Sequence, residues 1–540
     1  MNKLKKFFQY DRVFLLVILL IGLLTTFSYG VYFDQVSEQT ILFSNIKEYA
    51  LRLGGADSKL VQDMTAADIT EISLDKERDH GIAPYYPAGI VWYINQASPY
   101  AGSVFWHMYT FLLVFVGICS LYYLCKGLFR SQKLASFVTL LFFLSPRMFA
   151  ESHYNNKDMV LLSLVLTCFY CGYRLIMKPS WKNVCIYAVA GAFLFNVKII
   201  GAYFFGLIGL YALVYFIFTK QFNKGILAKM VTCILLWLGV FMLITPATWI
   251  GPVKYVQYVF GNAVNFSRWS SYILFNGTMI HKEITGIPES YLPRLILFST
   301  PLGILALTAM GGIFLVINLF RKRTSRIWQC EGYVTLLIFA GLVPIVFAMI
   351  ADTSLYNGWR HFYFTYASLI MATGYGVYGL NCLLQSRLKS PLRLSSAGVY
   401  VVILALGILL NHPFEYCYYN PLAGKNIEFK YDMDYWDLSV WQAYEAILED
   451  AEDKDRILVS AFNAPITYGM GISQDALPAE DKERIEVIED WERAEYLVVN
   501  MTYTVMYNFE DYQHVKAEYE LIESFDSYGN IVCEVYKKVK

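Results

Sequence analysis

Eleven apolar runs punctuate this chain, and they limit its fold more than any motif does. They cover residues 13–31, 104–125, 134–149, 159–177, 184–195, 199–219, 230–250, 296–320, 334–350, 362–384 and 397–410. A helix needs about 20 mostly apolar residues to cross a bilayer, and in hydrocarbon its backbone must satisfy its own hydrogen bonds. Runs of this length predict a polytopic α-helical membrane protein of about eleven transmembrane helices. Composition agrees: 56% of the 540 residues are hydrophobic and 16% charged, against roughly 25% charged in soluble domains. Disorder is excluded, because it requires low hydrophobicity and high net charge.

The third, fifth and eleventh runs are short. The fifth and sixth are joined by Asn196-Val197-Lys198 without a proper loop, so a half-depth hairpin is expected there. The first run is long and lacks a small-residue cleavage site, so it reads as an anchor rather than a signal peptide.

Basic residues set the orientation. Alternate loops carry Lys3, Lys5, Lys6 and Arg12; Lys126, Arg130 and Lys133; Arg174, Lys178 and Lys182; Lys220, Lys224 and Lys229; Arg321, Lys322, Arg323 and Arg326; and Arg387, Lys389 and Arg393. That side reads as cytoplasmic, with the N-terminus inside and the tail outside. The outer side then holds loops 33–103 and 251–294 and the tail. All seven histidines, at 80, 107, 153, 281, 361, 412 and 514, fall on or near it. The expected organisation is a multi-span part, 1–411, followed by an outer domain, 412–540.

The neutral formal charge hides an asymmetry: residues 412–540 contain 27 acidic and 11 basic residues. An acidic tail argues against nucleic acid, whose phosphates require clustered Lys and Arg. The tail reads as a small soluble α/β domain. Residues 439–448 form an amphipathic helix, and 456–461 and 496–500 form strands. Residues 519–525 and 531–536 form a hairpin through Ser527-Tyr528-Gly529-Asn530. No G-x-G-x-x-G, P-loop or G-x-S-x-G is present. Cys168 and Cys171 lie in an apolar stretch and read as small buried hydrophobes. Cys417 and Cys533 both lie in the tail, and no pairing is assigned to them.

Charges at a membrane edge are costly and so point to function. Four clusters qualify. In Tyr32-Phe33-Asp34-Gln35-Val36-Ser37-Glu38, a carboxylate at an apolar rim suits a general base; the bland alternative is two solvated carboxylates ending a span. Ser145-Pro-Arg-Met-Phe-Ala-Glu-Ser-His-Tyr-Asn-Asn-Lys-Asp158 is unusually polar for a turn, and Arg147 and Lys157 suit a phosphate; the alternative is internal salt bridges. Tyr356-Asn-Gly-Trp-Arg-His-Phe-Tyr363 places Arg360 among rings suited to a sugar face or the interface. The fourth runs from His412 to Gly424, then from Tyr431 to Ser439, and docking of the tail explains it as well as catalysis does. Lys198, alone between apolar runs, either snorkels or pairs with an anion. Asn265-Phe-Ser, Asn276-Gly-Thr and Asn500-Met-Thr fit the glycosylation sequon, a match common by chance.

Together these clusters resemble the GT-C membrane glycosyltransferases, specifically the bacterial branch of glycosyltransferase family 39, related to protein O-mannosyltransferases. The resemblance covers essentially the whole chain. Its most specific parts are residues 145–158, 356–363, and His412-Pro-Phe-Glu-Tyr-Cys-Tyr-Tyr-Asn-Pro421 followed by Asp434-Tyr-Trp-Asp-Leu-Ser439. The family carries an Asp, usually in an Asp-Glu pair, at the start of the first outer loop. Asp34 sits at that place, but Gln35 follows it, leaving Glu38 as a candidate second carboxylate.

The resemblance implies a polyprenyl-phosphate-sugar donor and transfer with inversion at the outer face. Asp34 and Glu38 are then the catalytic candidates, and Arg147, Lys157, Lys198 and Arg360 the candidates for the donor phosphate. His153, Tyr154, Asn155, Asp158, Trp359 and His361 are candidates for orienting substrate. No compact metal-ligand motif is evident; members of the wider superfamily differ in metal use, so a divalent metal stays open as a cofactor. The implied location is a bacterial plasma membrane, and the acceptor is a protein, a glycan or a lipid. The competing class is a transporter or flippase of lipid-linked sugars, which normally places polar residues at mid-membrane within inverted repeats. A non-catalytic assembly or sensor protein is the third reading.

Overall fold

The computed structural model describes residues 2–72, 81–264, 271–320, 331–350, 355, 357–385, 387–462 and 464–539. His80, the Asn265 sequon, the basic residues Arg321, Lys322, Arg323 and Arg326, and Tyr356 lie outside the described residues. All eleven apolar runs are helical. They correspond to α1 (Asn2–Thr25), α3 (Pro99–Phe129), the pair α4 (Gln132–Phe143) and α5 (Pro146–Tyr154), α6 (Asp158–Met177), α7 (Trp181–Val197), α8 (Ile200–Phe218), α9 (Lys224–Ile244), the pair α10 (Tyr291–Ser299) and α11 (Leu302–Phe320), α12 (Gly332–Ile350), α13 (Tyr366–Leu384) and α14 (Ser390–Asn411). A further helix, α2 (Gln35–Gly54), lies between α1 and α3.

Among the described residues, eight helices are long and apolar enough to cross a membrane, and ten spans result if each bent pair counts as one. The bends are 70° between α4 and α5 and 116° between α10 and α11. Each falls where proline, at Pro146 or Pro301, interrupts the amide ladder. The remaining run is α7, whose 17 residues are fewer than in any of those ten spans; it still runs from the end carrying Trp181 and Lys229 to the end carrying Lys198 and Asp158. The expected half-depth hairpin is not formed: α8 alone has 19 residues and spanning hydropathy. Lys198, with φ −153° and ψ 147°, simply breaks the helix between α7 and α8.

Close packing fixes the bundle. A Cβ on Gly311 would fall 2.0 Å from the carbonyl oxygen of Ala372, and one on Gly376 would fall 1.9 Å from that of Leu307. Only glycines allow α11 and α13 this approach, the usual device of helix pairs in lipid. Near the other end of α1, buried Asp11 accepts hydrogen bonds from Tyr122, Lys126 and Gln132, tying α1 to α3 and α4. By contrast, α14 leaves Val399, Ile403, Leu409 and Leu410 exposed, as a lipid-facing helix does.

The tail contains a five-stranded sheet. Its strands are β3 (Ile457–Ala461), β4 (Ile485–Val487), β5 (Tyr496–Asn500), β6 (Tyr519–Ser527) and β7 (Asn530–Lys538), in the order β4-β3-β5-β7-β6. An earlier hairpin, β1 (Tyr272–Phe275) with β2 (Thr278–His281), turns at Asn276-Gly277, both with positive φ. In the tail, β3 runs parallel to β4 and β5, while β7 is antiparallel to β5 and β6. Helix α15 (Ser439–Asp450) covers the sheet with Val440, Ala443, Tyr444 and Ile447, one face at helical spacing, against Val459, Val498 and Val535. The expected strands and hairpin are present. The three-residue β4 and the helices at Ala464–Asp475, Tyr503–Tyr507 and Phe509–Glu518 were not foreseen.

The sheet is anchored on the helices. Ser527 donates to the carbonyl of Phe414 at 2.7 Å, and the Tyr528 amide donates to Asn411 at 2.5 Å. Asn420 donates to the carbonyls of Leu297 and Thr300. Cys417 and Cys533 are separate buried thiols, and Cys168 and Cys171 are buried as expected.

Candidate functional site

The polar clusters converge at one end of the helix bundle. Asp34 is the N-cap of α2, and Glu38 occupies its first turn, where the helix dipole favours a carboxylate. The break between α5 and α6 supplies Asn155, Asn156, Lys157 and Asp158. The 3-10 turn Arg360–Thr365 leads into α13 and supplies Arg360 and Tyr363.

Each of the four candidate cations has a carboxylate partner. Arg360 lies 3.4 Å from Asp34, Lys198 lies 2.5 Å from Asp158, and Arg147 lies 3.9 Å from Glu151. Lys157 pairs with Glu38, which is fully buried. The four basic side chains remain 10–25% exposed. Burial works against the charge of Lys157, but Glu38 and then Asp34 more than offset it, and its pKa is raised.

A hydrogen-bond chain orients these pairs. Trp106 donates to Tyr32 at 2.9 Å, Tyr32 to Asn156 at 3.1 Å, and Asn156 to Glu38 at 3.1 Å. A second chain runs from the Asp158 amide to the Asn155 side chain at 2.9 Å, and from Asn155 to Glu151 at 2.7 Å. Tyr363 also donates to Glu151. Fixed partners of this kind hold the charged groups in place.

The tail contributes directly. Arg360 lies 4.2 Å from the ring centre of Tyr435 and 4.4 Å from that of Trp436, and it donates to the Tyr435 hydroxyl. The Phe33 amide donates to the carbonyl of Trp436 at 3.0 Å, so the tail segment lies against the loop carrying Asp34. Asp434 caps the next helix by accepting from the amides of Leu438 and Ser439. Burial pushes the Tyr435 hydroxyl up to about 12, with Arg360 pulling it down and Asp34 pushing it up. Asp437 is raised well above the usual carboxylate range by burial, by Asp434 and by Asp34. Asp432 binds three segments together, accepting from the amides of Leu274 and Tyr503 and from Asn357. Burial pushes it up to about 7, and these three donors oppose the rise.

Not every candidate faces the site. His153 is buried, with Nε2 2.9 Å from the carbonyl of Gly22 and Nδ1 3.0 Å from that of Phe149, and it stacks on Phe111. It is placed as a strut between α1, α3 and α5. Trp359 donates to Ser299 at 2.7 Å and is 3% exposed, a structural placement. Tyr154 is buried among the rings of Tyr29, Tyr32, Tyr416 and Trp436. His361 is half-buried beside Arg360. Asn500 is buried and donates to Asp437 and to the carbonyl of Asp434, so its sequon is inaccessible to a glycan.

Tyr32, Asn156, Glu151, Tyr363, Tyr435 and Trp436 lie inside the four clusters without a role of their own assigned from sequence, and Trp106 lies outside them. Glu151 was legible in principle, four residues after Arg147 on one helical face. Among the described residues, no group of three or more His, Cys, Asp or Glu is placed to hold a metal ion.

Residues 86–250 match the model of a family described as dolichyl-phosphate-mannose-protein mannosyltransferase. The matched stretch contains Arg147, Glu151, Lys157, Asp158 and Lys198, and it leaves Asp34, Glu38 and Arg360 outside. No curated protein matches. Among solved structures, the crystal structure of ArnT from Cupriavidus metallidurans in the apo state is similar with a TM-score of 0.47 and 12% identity, covering 98% of each chain. The chain is a polytopic helical membrane protein with an α/β domain after its last long helix. Over residues 86–250, in the first half of the chain, it is similar to a family of protein mannosyltransferases.

Proposed function

We propose that this protein is an inverting glycosyltransferase that moves a sugar from a polyprenyl-phosphate-linked donor to a hydroxyl-bearing acceptor at the outer face of a plasma membrane. The N-terminus is cytoplasmic, and residues 412–540 lie outside. The observation that carries this reading is the set of four cations paired with four carboxylates at one end of an apolar bundle. A lipid-linked phosphate presents its charge at that depth while its tail stays in hydrocarbon.

The chemistry follows from the pairs. A phosphate oxygen of the donor replaces the Asp34 carboxylate on Arg360 and another joins Glu38 at Lys157, with Lys198 and Arg147 close behind. Asp34, released from Arg360, takes the acceptor's hydroxyl proton. The acceptor oxygen bonds to the anomeric carbon from the face opposite the phosphate. The carbon–oxygen bond to phosphate breaks, and its electron pair leaves on the polyprenyl phosphate, whose growing charge the cations stabilise. One displacement inverts the anomeric centre. Glu38 stays with Lys157 and keeps that cation in place.

The test is sugar release from a panel of short-chain polyprenyl-phosphate-sugars by the purified protein, with transbilayer movement of the same lipids measured in vesicles. Release with formation of polyprenyl phosphate supports the transferase. Movement without release supports the transporter instead.

A further inference from the structure

At the opposite end of the bundle, α6, α7, α8 and α9 enclose a cavity of about 220 Å³. Its walls include Leu175, Tyr187, Gly206, Gly209 and Ile234, and its one charged wall residue is Lys229. The Tyr187 hydroxyl donates to the carbonyl of Phe205 at 2.5 Å, so it asks nothing of an occupant. Water has too few polar partners in such a space, and a void forfeits packing. On the lip, Leu210 and Ile234 are 58% and 52% exposed, so the cavity opens sideways toward lipid.

The same end is strongly basic. Arg174, Lys178, Lys182, Lys220 and Lys224 are exposed, and Lys229 is half-buried with its ammonium 5.8 Å from the Trp181 ring. The sequence holds no Asp or Glu between Asp158 and Glu283. These cations therefore have no carboxylate on their own segment of chain.

We infer that this cavity is a binding site for one phospholipid with a negatively charged headgroup, its acyl chain in the cavity and its phosphate at Lys229. The lipid belongs to the leaflet at the basic end, away from the site carrying Asp34. Two glycines mark the path of the chain: a Cβ on Gly206 meets nothing within 4 Å, and one on Gly209 meets only the Tyr187 hydroxyl, at 3.8 Å. The inference does not depend on the proposed transferase activity.

The test is native mass spectrometry of the full-length protein with dioleoyl phosphatidylglycerol or dioleoyl phosphatidylcholine at equal concentration. Wild type is expected to retain one phosphatidylglycerol roughly fivefold better than phosphatidylcholine, the preference one cation near an anionic headgroup provides. Lys229→Ala removes that preference, and Gly206→Leu, which fills the cavity, loses the retained lipid of either kind. If Gly206→Leu fails to fold, Lys229→Ala decides. Unchanged retention in Gly206→Leu, equal retention of both lipids by wild type, an unchanged preference in Lys229→Ala, or one-for-one displacement by a polyprenyl phosphate overturns the inference.

Discussion

Arg360 donates a hydrogen bond to Asp34 across 3.4 Å, joining two residues 326 positions apart. The contact places a guanidinium on the carboxylate proposed as the base, and Tyr435 and Trp436 from the tail flank that guanidinium. The proposed base is thus ion-paired, and in the proposed mechanism a donor phosphate competes for its partner.

Arg360→Lys keeps the charge and loses both the planar fork and the stacking on two rings. Turnover of a polyprenyl-phosphate-sugar is expected to fall by about tenfold or more. Steady-state kinetics against wild type check it, with the rise in KM expected to exceed the fall in kcat.

The tail is expected to be part of the catalytic site. Tyr435→Phe removes one hydroxyl from Arg360 and keeps the ring, so kcat/KM falls by about tenfold at most. Trp436→Ala removes a ring that packs 5.7 Å from Tyr32 and 5.8 Å from Tyr154 as well as against Arg360. It is expected to lose most activity and to cost about 3–5 kcal/mol of stability. Kinetics and thermal melting of the two variants, side by side, separate these effects.

Lys157→Met leaves Glu38 buried without its cation. Breaking such a pair costs on the order of 3 kcal/mol, and removing both partners costs less. The double variant Lys157→Met with Glu38→Gln is therefore expected to melt above Lys157→Met alone in the same detergent.

Much of the fold was legible because hydrophobicity is local: every long apolar run became helix. The bends also had a local cause, in Pro146 and Pro301. The break at Lys198 was visible, but its meaning was not, because its partner Asp158 lies on another helix. The same holds for Asp34 with Arg360 and Glu38 with Lys157: spacing along one chain cannot show ion pairs closed by the packing of distant elements. His153 illustrates the converse. A histidine in a polar cluster read as a substrate contact, yet it points at the carbonyl of Gly22. In the tail, β4 escaped notice because three residues carry no alternation pattern.

Asp432 supplies a pH test. Its folded pKa is raised to about 7, mainly by burial, above the roughly 3.9 of an unfolded chain. Its contribution to stability is therefore full below the unfolded value and is lost as pH rises through about 7. Asp432→Asn removes that loss, so its melting temperature relative to wild type is expected to be higher at pH 8 than at pH 5. Thermal melts of both proteins at the two pH values measure it.

The central claim, that Asp34 is the base of an inverting transfer from a lipid-linked phosphate, is tested most directly by Asp34→Asn in the purified protein. Sugar release and donor binding are measured together. The account predicts that Asp34→Asn binds the polyprenyl-phosphate-sugar at least as tightly as wild type, because Arg360 is released to the phosphate, and releases no sugar. Equal turnover by the two proteins would contradict it.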